Sequence, residues 1–159
     1  MISRSLIILI STILSNNLLG CTCGGYQEME YEIKESKAVF VGTVVGRKIK
    51  TFSGKLESGE NYKYKYYEYK IKVSEFFKGQ KEKIIKVATA KEGATCGMNF
   101  KLFKKYVVYA QEDKRYGLFT TICHRNIRKS NRKFDRHIFR DEVKGLKKLK
   151  DRSWLSQSK

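Results

Sequence analysis

Four cysteines constrain this chain more than any other feature. Cys21, Cys23, Cys96 and Cys123 all lie beyond an apolar leader, and the first two are separated by a single residue in Cys21-Thr22-Cys23. The leader reads as a signal peptide over residues 1–20. Arg4 gives a positive start, Leu6 to Leu14 an apolar stretch, and Ser15 to Gly20 a polar end. The apolar stretch is too short to span a bilayer, which takes about 20 residues, and no later segment qualifies, so no transmembrane segment is expected after cleavage. Cleavage after Gly20 makes Cys21 the new terminus. Leu18-Leu19-Gly20-Cys21 also resembles a lipobox, which keeps a membrane-anchored lipoprotein attached through Cys21 open beside a secreted or periplasmic product.

An even number of cysteines in an exported chain points to two disulfides. Three pairings are possible, and spacing alone does not choose among them. A zinc site competes poorly, because CxC is tighter than the usual CxxC bite and the other two cysteines stand alone. No cofactor is therefore expected.

The 34 Lys and Arg outweigh the 16 Asp and Glu, for a formal net charge of +18. That balance favours anionic partners, and export argues against nucleic acid among them. Basic residues crowd the segment after Cys123, where Arg125, Arg128, Lys129, Arg132 and Lys133 are candidate contacts to an anionic glycan or lipid surface.

Periodicity divides the rest into one domain, residues 21–150, with a polar tail at 151–159. Tyr26 to Lys37 has helical spacing. Ala38 to Ile49 is strand-like, with Gly42 and Gly46 suggesting bulges, and Thr51 to Asn61 is expected as a polar loop. Tyr62 to Phe77 alternates as a long strand whose phase changes near Tyr66-Tyr67, where a bulge is expected. Lys83 to Thr89 is a shorter strand, and Tyr106 to Gln111 pairs with Gly117 to Ile122 across a charged turn. Phe134 to Leu149 carries an apolar helical stripe of Phe139, Val143 and Leu146. The expected fold is mainly β: a closed five-stranded OB-like Greek-key barrel with a short N-terminal helix and a C-terminal helix. A monomer is expected.

Enzyme chemistry finds no support. HExxH, P-loop and dinucleotide motifs are missing. His124 and His137 are the only histidines, and Arg125 beside His124 makes it a poor general base. The interleaved tyrosines and lysines of Tyr62 to Lys72 read as a half-buried strand with its lysines pointing outwards.

In order along the chain stand Cys21-Thr22-Cys23, a short helix, Ser36 to Val44, Phe76-Phe77-Lys78-Gly79, Thr95-Cys96-Gly97, Tyr106 to Ala110 and Leu118 to Cys123. This series resembles the netrin-like domain of tissue inhibitors of metalloproteinases (TIMPs), and most of all its single-domain bacterial relatives. The resemblance implies a Cys21–Cys96 and a Cys23–Cys123 disulfide. It implies a zinc metalloendopeptidase as partner, with the α-amine and carbonyl of Cys21 on the protease's zinc, so that zinc belongs to the target alone. Thr22 would enter the pocket beside that zinc. Cys23 and the segment carrying Glu92, Ala94 and Thr95 would complete the contact. The chain departs from the animal proteins in lacking partners for a third disulfide and in placing Gly24-Gly25 after the CxC.

Overall fold

A computed structural model describes residues 21, 23–25, 27–91 and 96–151. The expected signal peptide at 1–20, most of the tail, Thr22, Tyr26 and the 92–95 segment lie outside the described residues. Elements run α1 (Met29–Glu35), β1 (Ala38–Lys55), β2 (Asn61–Lys78), β3 (Ile84–Ala90), β4 (Lys105–Asp113), β5 (Gly117–Phe119), β6 (Ile127–Arg128) and α2 (Lys133–Asp151). Among the described residues, no helix is long and apolar enough to cross a membrane.

The strands form one six-stranded sheet in the order β1-β2-β3-β5-β4-β6. The first part of β1, Ala38 to Thr43, also pairs with β4, so the sheet curls back towards its first strand. The expectation of a closed five-stranded barrel is corrected here. Among the described residues there are six strands, and the sheet is mixed, because β3 and β5 run parallel. It is not a closed barrel wall: β5 is three residues long, and its ladder to β3 is the single pair Ala88–Phe119. The two-residue β6 adds an outer edge on β4, too short to leave a periodicity in the sequence.

Two apolar cores lie on opposite faces of the curled sheet. Phe40, Val44, Tyr69, Ile71, Val87, Phe100, Tyr106 and Val108 fill the concave side. Val39, Val41, Val107 and Tyr109 point the other way and meet Ile33 of α1 and Phe139, Leu146 and Leu149 of α2. Alternate residues of β1 and β4 thus serve both cores, which is why their burial is continuous and not alternating. Each large apolar side chain so buried contributes about 1.5–3 kcal/mol.

Two expectations about β1 and β2 change. The polar loop expected at Thr51 to Asn61 is mostly strand: the pairing continues to Lys55–Asn61. The expected bulge at Tyr66-Tyr67 does not occur. The register irregularities fall beside Val39/Phe40, Val41/Gly42 and Val44/Gly46, where Phe77 and Ser74 of β2 and Val45 of β1 are the extra residues. A Cβ on Gly42 would come within 2.9 Å of the Lys72 carbonyl oxygen, so glycine lets the two strands close together at the bend. The change of phase in β2 has another origin. Tyr69 and Ile71 face the concave core, whereas Tyr66 and Tyr62 lie on the opposite face, where Tyr116 stacks on Phe119 and meets Tyr66 and Phe52. From Asn61 to Lys72 the strand is unbroken and uses different faces in its two halves.

Candidate functional site

Cys21 is disulfide-bonded to Cys96, and Cys23 to Cys123, with Cα–Cα distances of 5.3 and 5.2 Å. The two anchors belong to different connections, β3–β4 and β5–β6, and these are themselves joined. The Ile122 N–H donates to the Cys96 carbonyl at 3.0 Å, and Gly97 pairs with Thr121 in an isolated antiparallel bridge. Gly97 is required there because the Ala90 carbonyl occupies the space of a Cβ. Cys96 itself takes a left-handed conformation, φ 53°, an uncommon state for a residue with a Cβ. The Met98 N–H donates to Thr89 Oγ1 at 2.7 Å, which ties the segment back to β3.

The anchor loop of Cys123 is cross-linked from within. Thr120 Oγ1 donates to the Tyr109 carbonyl at 2.7 Å. Asn126 Nδ2 donates to Thr120 Oγ1 and the Thr121 carbonyl, at 2.8 and 2.9 Å, while its Oδ1 accepts from the Tyr109 N–H. His124 Nδ1 accepts the Thr121 N–H at 3.0 Å, which places the ring proton on Nε2. Burial holds the His124 pKa below its ordinary value, so the neutral ring that this hydrogen bond needs is the favoured form. His124 is a loop-closing residue.

A polar triad with Tyr109 and Glu142 buried and Arg125 partly so fixes the same loop to α2. Arg125 Nε and Nη2 donate to Glu142 Oε1 and Oε2 at 2.7 and 2.9 Å. Tyr109 Oη donates to Glu142 Oε1 at 2.6 Å. Arg125 Nη1 reaches the Gln27 carbonyl at 3.2 Å, on the stretch leading from Cys23 into α1. Burial, reinforced by the Glu142 carboxylate, raises the Tyr109 pKa far above the ordinary phenol value and keeps it a donor. The bidentate hydrogen bond that Arg125 donates to Glu142 raises the Arg125 pKa. Burial also raises the Glu32 pKa, against the lowering effect of Arg125.

The structure therefore brings together Cys21, Cys23, Cys96 and Cys123. Thr22, Glu92, Ala94 and Thr95 lie outside the described residues. Arg125 is engaged by Glu142 and is not an open anion contact. Arg132 is paired with Asp135 at 3.0 Å, Lys133 opens α2, and Arg128 and Lys129 line a basic groove with Lys101, Lys104 and Lys105. Sequence reasoning missed Thr120, Asn126 and Glu142. Glu142 left a signal: with Phe139, Leu146 and Leu149 it falls on the buried face of α2, a carboxylate in an apolar stripe.

The expectation that the chain offers no metal-ligand cluster of its own also needs correction. The sulfurs of Cys21, Cys96 and Cys123 lie within 4.8 Å of one another, close enough to share an ion. Thiolates are the metal-binding form of cysteine. The bonded sulfurs lack that form, so the cluster fits a metal only once the disulfides are opened.

The site is thus the Cys21–Cys23 stretch clamped by two disulfides onto two joined loops of a curled sheet, with no catalytic constellation beside it among the described residues. The sequence model of the family described as "Tissue inhibitor of metalloproteinase" matches residues 20–131, and the chain belongs to that family. Its domains are inhibitor modules without catalytic machinery, and the chain is not an enzyme. The match ends before α2, so Glu142 is a contribution from outside the matched region. No curated protein matches the chain.

Proposed function

We propose that the chain is an exported inhibitor of a zinc metalloendopeptidase, a single-domain relative of the bacterial type, whose terminus after removal of residues 1–20 is the inhibitory group. The observation that carries this reading is the double clamp at Cys21 and Cys23. The α-amine and carbonyl of Cys21 supply a bidentate nitrogen–oxygen pair for the open position that a catalytic zinc keeps. The amine must be unprotonated to donate, and its reference pKa of about 8 makes that a small cost at neutral pH. Thr22 follows into the pocket beside the zinc, and Glu92, Ala94 and Thr95, just before Cys96, form the neighbouring contact. Holding the terminus in place before binding reduces the ordering cost of the complex. The joined anchor loops and the Arg125 contact to Gln27 support the same reading, because they brace the chain on both sides of flexible Gly24-Gly25.

The bond to Cys96 uses the sulfur that lipidation would require, which favours a soluble secreted or periplasmic product with a free amine over an anchored lipoprotein. Intact-mass analysis of the exported protein, paired with inhibition assays on a panel of zinc metalloendopeptidases, tests the proposal. A free Cys21 amine, two disulfides and tight inhibition of a panel member are expected. A diacylglyceryl mass on Cys21 would overturn it.

A further inference from the structure

A second surface stands apart from the clamped terminus. The turn Lys101-Leu102-Phe103-Lys104-Lys105 leads into β4 and presents its apolar residues to solvent: Phe103 is 77% exposed and Leu102 43%. The turn is built and held. The Phe103 N–H donates to the Val44 carbonyl at 2.8 Å, and the Val44 N–H to the Lys104 carbonyl at 3.1 Å. The Lys101 N–H donates to Tyr106 Oη at 2.9 Å. Phe103 sits at φ 59°, a left-handed conformation that is a genuine outlier for a bulky side chain. Such conformations persist where the surroundings impose them, and they concentrate at functional positions. Here the backbone bonds to β1 impose one that leaves an aromatic ring bare.

Cations surround that ring. Lys101, Lys104, Lys105, Arg128 and Lys129 line one groove with Phe103, and no acidic residue lines it among the described residues. Lys129 is fixed beside Lys105 by its N–H, which donates to the Lys105 carbonyl at 2.8 Å. Arg128 also borders a second depression with Ile138 of α2, where Ile138 is 41% exposed. The acid there, Asp135, is paired with Arg132. Apolar side chains standing out of a ring of lysines and arginines have the composition of an interfacial membrane contact. Charge draws the protein to an anionic surface, and the apolar tips enter the headgroup region. An anionic glycan needs the charge but gives Leu102 and Phe103 nothing to bury against.

We propose that this patch docks the protein peripherally on a bilayer carrying anionic lipid, with Leu102 and Phe103 inserted between headgroups. The patch shares no residue with the Cys21 terminus, so the inference does not rest on the inhibitory reading. The test is co-sedimentation of the oxidised protein with phosphatidylcholine vesicles, with and without phosphatidylglycerol. Phosphatidylglycerol should strengthen binding by at least about tenfold, through the several cations of the patch. Phe103→Ser should weaken it by about tenfold, since the inserted ring is lost, with the thermal midpoint unchanged because the ring stands in solvent. Phe103→Trp in a Trp154→Phe background should show a blue-shifted indole emission on those vesicles and none with heparin. Vesicle binding unchanged in Phe103→Ser, or no emission shift, would overturn the proposal. So would retention on heparin without vesicle binding, which would assign the patch to a glycan.

Discussion

Arg125 holds the Glu142 carboxylate by two parallel hydrogen bonds, Nε to Oε1 at 2.7 Å and Nη2 to Oε2 at 2.9 Å. Glu142 is 4% exposed, so this pair is the polar pin between α2 and the loop that anchors Cys123. Arg125→Ala leaves a buried carboxylate with Tyr109 as its remaining side-chain donor. Breaking one side of such a pair costs about 3–5 kcal/mol. Because Arg125 is partly exposed, the lower end of that range is expected in urea unfolding. Replacing both partners, as Arg125→Met with Glu142→Leu, should recover part of the loss: the buried Glu142 charge is gone, while Tyr109 Oη loses its acceptor and buried Glu32 loses the neighbouring Arg125. A double variant as unstable as the single one would show that the pair is not what holds the helix.

His124 gives the fold a pH dependence of defined sign. Burial lowers its folded pKa below the unfolded value. The unfolded chain therefore binds the proton first as pH falls, and the contribution to stability is complete above about pH 6.5 and lost as pH drops through the folded pKa. The protonated ring also loses the acceptor that holds the Thr121 N–H. Stability measured from pH 7.5 to 5 should fall for the wild type and stay flatter for His124→Asn. Parallel curves would remove His124 from the explanation.

Gly97→Ala places a methyl group against the Ala90 carbonyl. Backbone cannot yield as a side chain tip can, so the Gly97–Thr121 bridge must shift. A loss of about 1–3 kcal/mol is expected, with faster hydrogen exchange at Ile122, whose N–H is held by Cys96. Gly59→Ala, in the hairpin turn of β1 and β2, adds a Cβ that meets nothing but strains a positive φ, and it should leave exchange at Ile122 untouched. That contrast separates a local clash at the anchors from a general effect of losing glycine.

The disulfides close long stretches of chain, with sequence separations of 75 and 100 residues. In the chain-entropy picture each contributes about 4–5 kcal/mol, with real values often lower. Reduction should lower the thermal midpoint steeply. It should also free the Cys21, Cys96 and Cys123 thiols, which can share an ion by losing their protons to solvent as it binds. Cobalt(II) should then give a thiolate charge-transfer band with the reduced protein and none with the oxidised one. A band from the oxidised protein would mean that the disulfides are not intact.

The strongly periodic elements were legible in the sequence. Phe139, Leu146 and Leu149 mark α2, and the β-branched run after Ala38 marks β1. The β4–β5 hairpin followed from two apolar runs across a charged turn. What escaped depended on contacts distant in sequence. Tyr62 and Tyr69 differ in parity because opposite faces of β2 are buried in its two halves, which resembles a bulge when only one face is assumed to be covered. The strand ends at Lys55 and Asn61 are polar and exposed, so nothing apolar announced that the hairpin continued. Sheet closure was over-read, because strand number and order do not reveal that β5 meets β3 at one pair. Glu142 broke its stripe in plain view, yet its partners Arg125 and Tyr109 lie 17 and 33 residues away, beyond any local pattern. At the candidate site the cysteines were conspicuous, whereas the threonine and asparagine bonds that brace their anchor loops were not.

If the free, clamped Cys21 terminus is the inhibitory group, displacing its amine must abolish tight binding. The most direct measurement compares the inhibition constant of the mature protein with that of a form carrying one extra alanine before Cys21, against a zinc metalloendopeptidase that the mature protein inhibits. The extension leaves both disulfides in place but moves the α-amine one residue away from the Cys21 carbonyl. Inhibition should weaken by more than about a hundredfold, the loss of roughly 2.7 kcal/mol of binding or more, with the thermal midpoint unchanged. Equal inhibition by the two forms would contradict a chelating role for Cys21.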